Sequence, residues 1–401
     1  MILWLLVRRS LRQHLLSTVV TALSLALAGG LLMSVWVVKR QARATFTGQT
    51  GAWDAVLGAR GAKLQLVLNA LFHLEASPGN VAFADFQTMS SNRAVALAVP
   101  IAVGDNYLGY RIVGTLTNLF TEAEAAPGRR FRLVAGGRWF EDGYREAVVG
   151  SFVAQRLGLK PGDTFKPYHG LNFNPKEQHE DEYVVTGVLE PSNTPADRVL
   201  WIPLAGLQNM SGHAAATSSD VSAVLVKLRS AVAGQQLDML YNKQGDRLTF
   251  AWPLGTVLAQ LFDKMGWFDQ VLELVAYLVA LVAAGSVLAS IYNSLSARRR
   301  DLAILRALGA RRTLVFASII LEATSIAALG MALAWGLYAV IMGAVSAVIR
   351  AQTGVVLDPW AWDPVLVIAP LALVGLGALA GVLPAIKAYG NPVAENLAPE
   401  S

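Results

Sequence analysis

The sequence predicts an integral membrane protein, α-helical in the bilayer, with four transmembrane helices and one large mixed α+β extracytoplasmic domain between helices 1 and 2. Three observations predict it. Only 15% of the 401 residues are charged and mean hydropathy is +0.45, whereas an ordinary soluble domain is roughly 25% charged. The deficit is concentrated in four stretches, each at least as long as the about 20 apolar residues that a membrane-spanning helix needs. Basic residues gather at the ends of those stretches, more of them on one side than on the other.

In chain order, residues 1–14 read as an amphipathic cytoplasmic lead-in, with Leu5, Leu6, Leu11 and Leu15 for lipid and Arg8, Arg9 and Arg12 for head groups. Residues 15–38, free of Asp, Glu, Lys and Arg, form the first span. Ala26-Leu27-Ala28 resembles a signal-cleavage site, but the apolar run continues to Val38, too long for a signal peptide, so a retained anchor is expected. Residues 39–252 form the outer domain, 253–297 a stalk and the second span, 298–312 a cytoplasmic loop, and 313–349 the third span with Glu322 as its only charge. Residues 350–364 form a short external loop, 365–386 the fourth span and 387–401 a cytoplasmic tail. Pro359, Pro364 and Pro384 read as span edges, with Pro370 inside the fourth.

Arg8, Arg9, Arg12, Arg298, Arg299, Arg300, Arg306, Arg311, Arg312 and Lys387 fall on one side; Lys39, Arg40, Arg43 and Arg350 oppose them. The arginine-rich loop between the second and third spans decides the orientation, with both termini cytoplasmic. Trp4, Trp36, Trp267, Trp360 and Trp362 lie near span ends, where interfacial aromatics belong. The net charge of +5 is therefore a topology signal, not a nucleic-acid footprint. With no cysteine, no disulfide supports the outer domain.

Within the outer domain, Val81–Phe83, Ala94–Val99, Tyr110–Val113, Tyr183–Val188 and Val221–Leu228 read as strands, and Lys63–His73 and Ser151–Leu157 as helices. The run Glu177, His179, Glu180, Asp181, Glu182 lacks helical ligand spacing and reads as a solvated loop, not a metal site. No nucleophilic or acid–base constellation has recognisable local context, so no catalytic residue is assigned.

No proline falls between Leu254 and Asp358, so residues 256–296 predict one long helix. Its outer half carries Leu258, Leu261, Met265, Phe268, Leu272 and Val275 at alternating spacings of three and four, a coiled-coil seam. That seam is expected to pack on the outward extension of the first span near Val35, Val38 and Ala42. In the cytoplasmic loop, Leu302, Leu305 and Leu308 recur every third residue with Ile304 beside them, and Gly309 follows as a helix-ending residue. Composition alone leaves two uses for this apolar face: a groove on a partner, or the lipid surface.

The stretch Arg298-Arg299-Arg300-Asp301-Leu302-Ala303-Ile304-Leu305-Arg306-Ala307-Leu308-Gly309-Ala310 resembles the coupling-helix motif of the ABC transporter permeases that include MacB, LolC, LolE and FtsX. Asp301 stands where those relatives usually carry Glu, and Leu302 where they carry Ile. Leu321-Glu322-Ala323 and the tail Gly381–Leu397 are similar to further motifs of the family. So are Gly137–Phe140, Glu146–Gly150, Leu157–Asp163, Tyr183–Leu189 and Arg198–Pro203, in family order, to its periplasmic core domain.

The resemblance implies a non-catalytic permease that works in pairs, with itself or a homologue, on a cytoplasmic ATPase dimer. ATP-driven closure would pass through the long helices to the outer domain (mechanotransmission) and drive export or extraction of a lipid, lipoprotein, peptide or drug. A periplasmic adaptor or substrate-binding protein fits the same scheme, and the cell inner membrane is the implied location. The alternative is an FtsX-like signalling subunit that activates a cell-wall hydrolase or senses a ligand. The resemblance gives Glu322 a structural or coupling role. No Lys here is followed by Ser or Thr, so the Gly-x-x-x-x-Gly-Lys-Ser/Thr phosphate loop is missing. ATP and Mg²⁺ are accordingly expected on a partner chain, with no cofactor in this one.

Overall fold

A computed structural model describes residues 2–48, 52–211 and 219–390. Its helices are α1 (Ile2–Gln13), α2 (Leu15–Gly48), α3 (Lys63–Ala70), α4 (Phe83–Ser90), α5 (Asn118–Thr121), α6 (Ser151–Leu157), α7 (Leu204–Gln208), α8 (Ala231–Asp238), α9 (Leu254–Ala297), α10 (Arg299–Ala307), α11 (Arg312–Thr353) and α12 (Val365–Gly390). The strands are β1 (Ala55–Ala59), β2 (Val95–Tyr107), β3 (Tyr110–Thr115), β4 (Glu124–Ala126), β5 (Arg129–Arg130), β6 (Glu146–Val149), β7 (Thr164–Phe165), β8 (Tyr168–His169), β9 (Tyr183–Val188), β10 (Leu200–Pro203), β11 (Ala223–Leu228) and β12 (Leu248–Ala251). The chain divides into two compact units, one of Met1–Gln41, Gly266–Ser346 and Asp358–Ser401, the other of Ala42–Met265 and Ala347–Leu357. Residues 391–401 of the expected tail lie outside the described residues.

In the first unit, α2, α9, α11 and α12 are each long and apolar enough to cross a membrane. Their inward faces pool Leu25, Met33, Ala283, Val287, Ile326 and Tyr338. Large apolar residues such as Leu16, Val282, Val340 and Leu371 stand exposed on the outward faces, as a lipid-solvated bundle requires. Small residues set the closest approaches. A Cβ added to Gly377 or Gly381 would lie 2.6 or 2.7 Å from Ala327 or Ala323, and one on Gly330 would lie 2.6 Å from the Leu25 Cβ. Backbones of α11, α12 and α2 therefore touch almost directly, the arrangement that dispersion-driven packing in lipid favours.

The helices overrun their expected ends. The apolar run puts the end of the first span at Val38, but α2 continues to Gly48. Lys, Arg, Gln and Ala follow Val38, and these are strong helix formers. Charge marks where the apolar segment ends, not where the helix does. Pro384 reads as an edge but sits inside α12, like Pro370. Proline is tolerated in such helices because neighbours re-satisfy the freed carbonyl.

In the second unit, a ten-stranded mixed sheet runs β12-β1-β11-β2-β3-β10-β6-β9-β7, with β8 added on β2. The 13-residue β2 spans its centre, pairing with β11 through its first half and β3 through its second. The β10–β3 and β6–β9 pairs are parallel. Buried side chains alternate between two clusters, one per face: Leu57, Ile112, Tyr183 and Phe250 in one, Val56, Val113, Phe120 and Trp201 in the other. The mixed α+β expectation holds, and β9 and α6 fall on the expected residues.

Val81–Phe83 is not a strand: Val81 makes one bridge to Val221, and Phe83 opens α4. The run was three residues long, too short to compete with the helical segment behind it. The helix expected over Lys63–His73 stops at Ala70, and His73 takes φ +55°. The stretch Glu177–Glu182 is not uniformly solvated: Glu177, Glu180 and Glu182 are exposed, whereas His179 and Asp181 are buried.

His73 is buried edge-on to Trp201, ring centroids 5.4 Å apart. Burial first, and then the nearby Arg111 guanidinium, lower its pKa to about 3 from an ordinary 6.5. A depressed histidine stabilises the fold fully above the unfolded value, and this contribution is lost as pH falls from about 6.5 toward about 3. Denaturant titration of the full chain in detergent, followed by tryptophan fluorescence, should show stability falling from about pH 7 to about pH 5. The slope should approach about 1.4 kcal/mol per pH unit from this one group, and His73→Phe should remove that part of it.

The candidate coupling site

The loop between α9 and α11 folds into α10, nine residues rich in Ala, Leu and Arg. Its end is a Schellman closure. Gly309 takes φ +98°. The Gly309 N–H donates to the Arg306 carbonyl and the Ala310 N–H to the Leu305 carbonyl, both at 3.0 Å. Gly309 thus ends the helix in the left-handed conformation expected of it. A β-branched residue there would have to enter a region L-residues avoid.

The apolar face is rotated from the one expected. Residues three apart drift about 60° per step around a 3.6-residue helix, whereas residues four apart drift only about 40°. The exposed pair is Ile304 and Leu308, at 41% and 80%; Leu305 is half-buried and Ala303 is buried. The side chains of Arg299, Asp301 and Leu302 lie outside the described residues. Arg300 is exposed and Arg306 half-buried.

Arg298 is not on the rim with them. It turns inward to a buried polar cluster around Glu322, which is 8% exposed. Ser10 donates to Glu322 Oε1 at 2.5 Å and Ser294 to the same oxygen at 3.1 Å. Arg298 Nη1 lies 3.4 Å from Glu322 Oε2 and also donates to Ser10 Oγ. The reason is electrostatic. A carboxylate held away from water costs several kcal/mol unless a cation and hydrogen-bond donors meet it. Arg298, the residue between α9 and α10, is the described cation that reaches it. One carboxylate thus joins α1, the end of α9, the start of α10 and α11. Sequence reasoning found Glu322 and Arg298 singly but missed their pairing, and missed Ser10 and Ser294 altogether.

The seam residues part company. In the outer unit Leu258 is buried and Leu261 half-buried, while Met265 is exposed. In the membrane unit Phe268, Leu272 and Val275 are exposed. Burial against the extension of the first span, expected for the whole seam, is thus seen at Leu258, in a cluster on which Phe46 of α2 packs, and not at these three. Toward α2, α9 presents Phe262, its ring 6.1 Å from that of Phe46, together with acidic residues. Lys39 Nζ lies 2.6 Å from Glu273 and 4.0 Å from Asp269, and Arg43 Nη2 lies 3.1 Å from Asp263. Lys39 and Arg43 need anions, and the polar flank of α9 supplies them.

Two family profiles match the chain. The MacB-like periplasmic core domain covers residues 18–239, and the FtsX-like permease C-terminal domain covers residues 273–393. No curated protein matches the sequence. The solved extracellular domain of the noncanonic ABC-type transporter YknZ from Gram-positive bacteria is similar at 18% identity and TM-score 0.29, over 49% of this chain and 99% of that one. The chain belongs to the MacB/FtsX family of ABC transporter permeases.

The cluster makes its own prediction. Arg298→Ala leaves the Glu322 carboxylate buried without its cation and should destabilise the bundle by about 3–5 kcal/mol. Adding Glu322→Gln in that background should recover a large part of the loss, because the charge goes too. Thermal unfolding in detergent of the two singles and the double completes the cycle. Additive losses would show that the pair is not coupled.

Proposed function

We propose that this chain is the permease subunit of an ABC transporter that couples ATP hydrolysis on a separate cytoplasmic ATPase dimer to movement of its outer domain. That movement drives export or extraction of a lipid, lipoprotein, peptide or drug across the cell envelope. The observation that carries the reading is α10. It is a short basic helix with Ile304 and Leu308 bare on one side, closed by the Gly309 turn, and joined through Arg298 just before it to the buried Glu322 cluster. A partner that seats the bare pair gains purchase on Arg298, and through Glu322 on α1, α9 and α11. The 44 residues of α9 form one unbroken helix, about 66 Å long at 1.5 Å per residue, suited to carry displacement.

The other components follow. ATP and Mg²⁺ belong to the partner ATPase. A second permease copy or homologue is the expected occupant of the bare seam at Met265, Phe268, Leu272 and Val275, with an adaptor or substrate-binding protein available to the outer domain. The membrane is the inner membrane, with both termini and α10 on the cytoplasmic side and the sheet domain in the periplasm. The arginines at 298–300, 306, 311 and 312 support that orientation.

Two measurements test the proposal. Buried apolar anchors carry most interface energy, about 2 kcal/mol or more each. Ile304→Ala with Leu308→Ala should therefore weaken ATPase capture at least about 30-fold and abolish stimulated hydrolysis, while the permease still inserts. Wild-type affinity in that variant would defeat the coupling assignment. For topology, the chain has no native cysteine to interfere. Ala310→Cys should react with an impermeant maleimide only after the membrane is opened, and Glu177→Cys in intact spheroplasts; the reverse pattern would invert the orientation.

A further inference from the structure

The outer unit brings two histidines and an aspartate together: Asp105, His169 and His179, whose side-chain ligand atoms all lie within 4.8 Å of one another. We propose that they bind a divalent cation of the zinc class. The proposal is independent of the coupling reading.

The backbone register alone puts the three on one face. Asp105 in β2 is the direct cross-strand partner of His169 in β8, so their side chains share a side of the sheet. β8 pairs in turn with the returning loop through Tyr168 and Gln178. The His169 N–H donates to the Glu177 carbonyl at 2.7 Å and the His179 N–H to the Pro167 carbonyl at 2.9 Å. With a side-chain period of two, His169 and His179 both point opposite to Tyr168 and Gln178, hence to the same side. A bulge at Gly104, between the Val103 and Asp105 pairings, resets the direction of Asp105 at that place. Asn106 holds the loop to β2 through the Gly170 carbonyl at 2.8 Å.

The geometry suits a metal. Asp105 Oδ1 lies 3.3 Å from His179 Nε2 and 3.5 Å from His169 Nδ1. A tetrahedral ion with bonds of about 2.0–2.1 Å holds its ligand atoms about 3.3–3.4 Å apart. The second layer is also built. His179 Nδ1 lies 2.6 Å from the Ser211 carbonyl, which can only accept, so Nδ1 carries the proton. Its Nε2 is thereby turned toward the Asp105 carboxylate, 3.3 Å from Oδ1. Ser211 is itself fixed by Asp181, which accepts from its N–H at 2.8 Å and its hydroxyl at 2.5 Å. Such outer partners orient metal-bound imidazoles.

The ligand set chooses the ion. Two imidazoles with one carboxylate suit zinc and its neighbours rather than calcium or magnesium, which want oxygen. Asp105 is fully buried whereas His169 is exposed, so the fourth position opens toward solvent. An ion there would clip the loop carrying His169 and His179 onto the central strand.

The test uses the full chain in detergent, stripped with EDTA and titrated with Zn²⁺ against a fluorescent zinc competitor, with bound metal counted by mass spectrometry after desalting. Wild type should retain about one zinc per chain. His169→Ala, at an exposed site, and the isosteric Asp105→Asn should each bind at least about 10-fold more weakly, with unchanged circular dichroism and metal-free melting. Co²⁺ in place of zinc should give the visible bands of a low-coordinate site in wild type and lose them in His169→Ala. Equal zinc affinity in wild type and both variants would place any zinc elsewhere and overturn the proposal. No zinc retained by wild type would overturn it too.

Discussion

Glu322 is buried in a helix whose other charges stand at its two ends, and a carboxylate so placed must be met by donors or it destabilises everything around it. Much of the membrane unit follows from that constraint. Ser10 reaches it only if α1 lies against the bundle. Ser294 reaches it only if the last turns of α9 pass close to α11. Arg298 reaches it only if the chain leaves α9 turned inward, which fixes where α10 begins. The apolar faces of these helices permit many azimuths, since lipid and side chain are equally greasy. A hydrogen-bonded charge permits few. The polar cluster supplies the register that hydrophobic packing lacks.

What the sequence made legible was whatever is written locally. Four apolar runs, an arginine-rich loop and Gly309 each announce themselves within a few residues, and the helices, α10 and its left-handed closure lie where those signals put them. The family motifs were legible for the same reason. What stayed hidden depends on partners distant along the chain. The inward turn of Arg298 is decided by Glu322, 24 residues on, and by Ser10, 288 residues back. The seam on α9 was visible, but its orientation was not. Heptad spacing says that one face is apolar; it does not say that Lys39 and Arg43 on α2 will claim the acidic face instead.

The outer sheet teaches the same lesson from the other side. His179, read within its own neighbourhood, is one polar residue in a polar run. Its meaning comes from Asp105, 74 positions away, and from a strand only two residues long that carries His169. Short edge strands leave no periodic signal, so the pairing that aligns these residues could be found only from the fold. Buried Asp181 was likewise indistinguishable in sequence from the exposed glutamates that flank it.

The glycine contacts between the membrane helices bear on how motion is divided among them. Gly377 and Gly381 bring α12 to within a methyl group of α11, and Gly330 does the same for α2. A side chain at any of these three glycines would have to displace its neighbour. Gly266 and Gly285 of α9, by contrast, face open space. α9 is held to its neighbours by alanines, by the Ser17–Ser290 hydroxyl pair at 2.8 Å and by the Lys39–Glu273 ion pair. These contacts can be remade one notch along. The closest helix contacts of the bundle thus lie among α2, α11 and α12, and those of α9 are made by side chains.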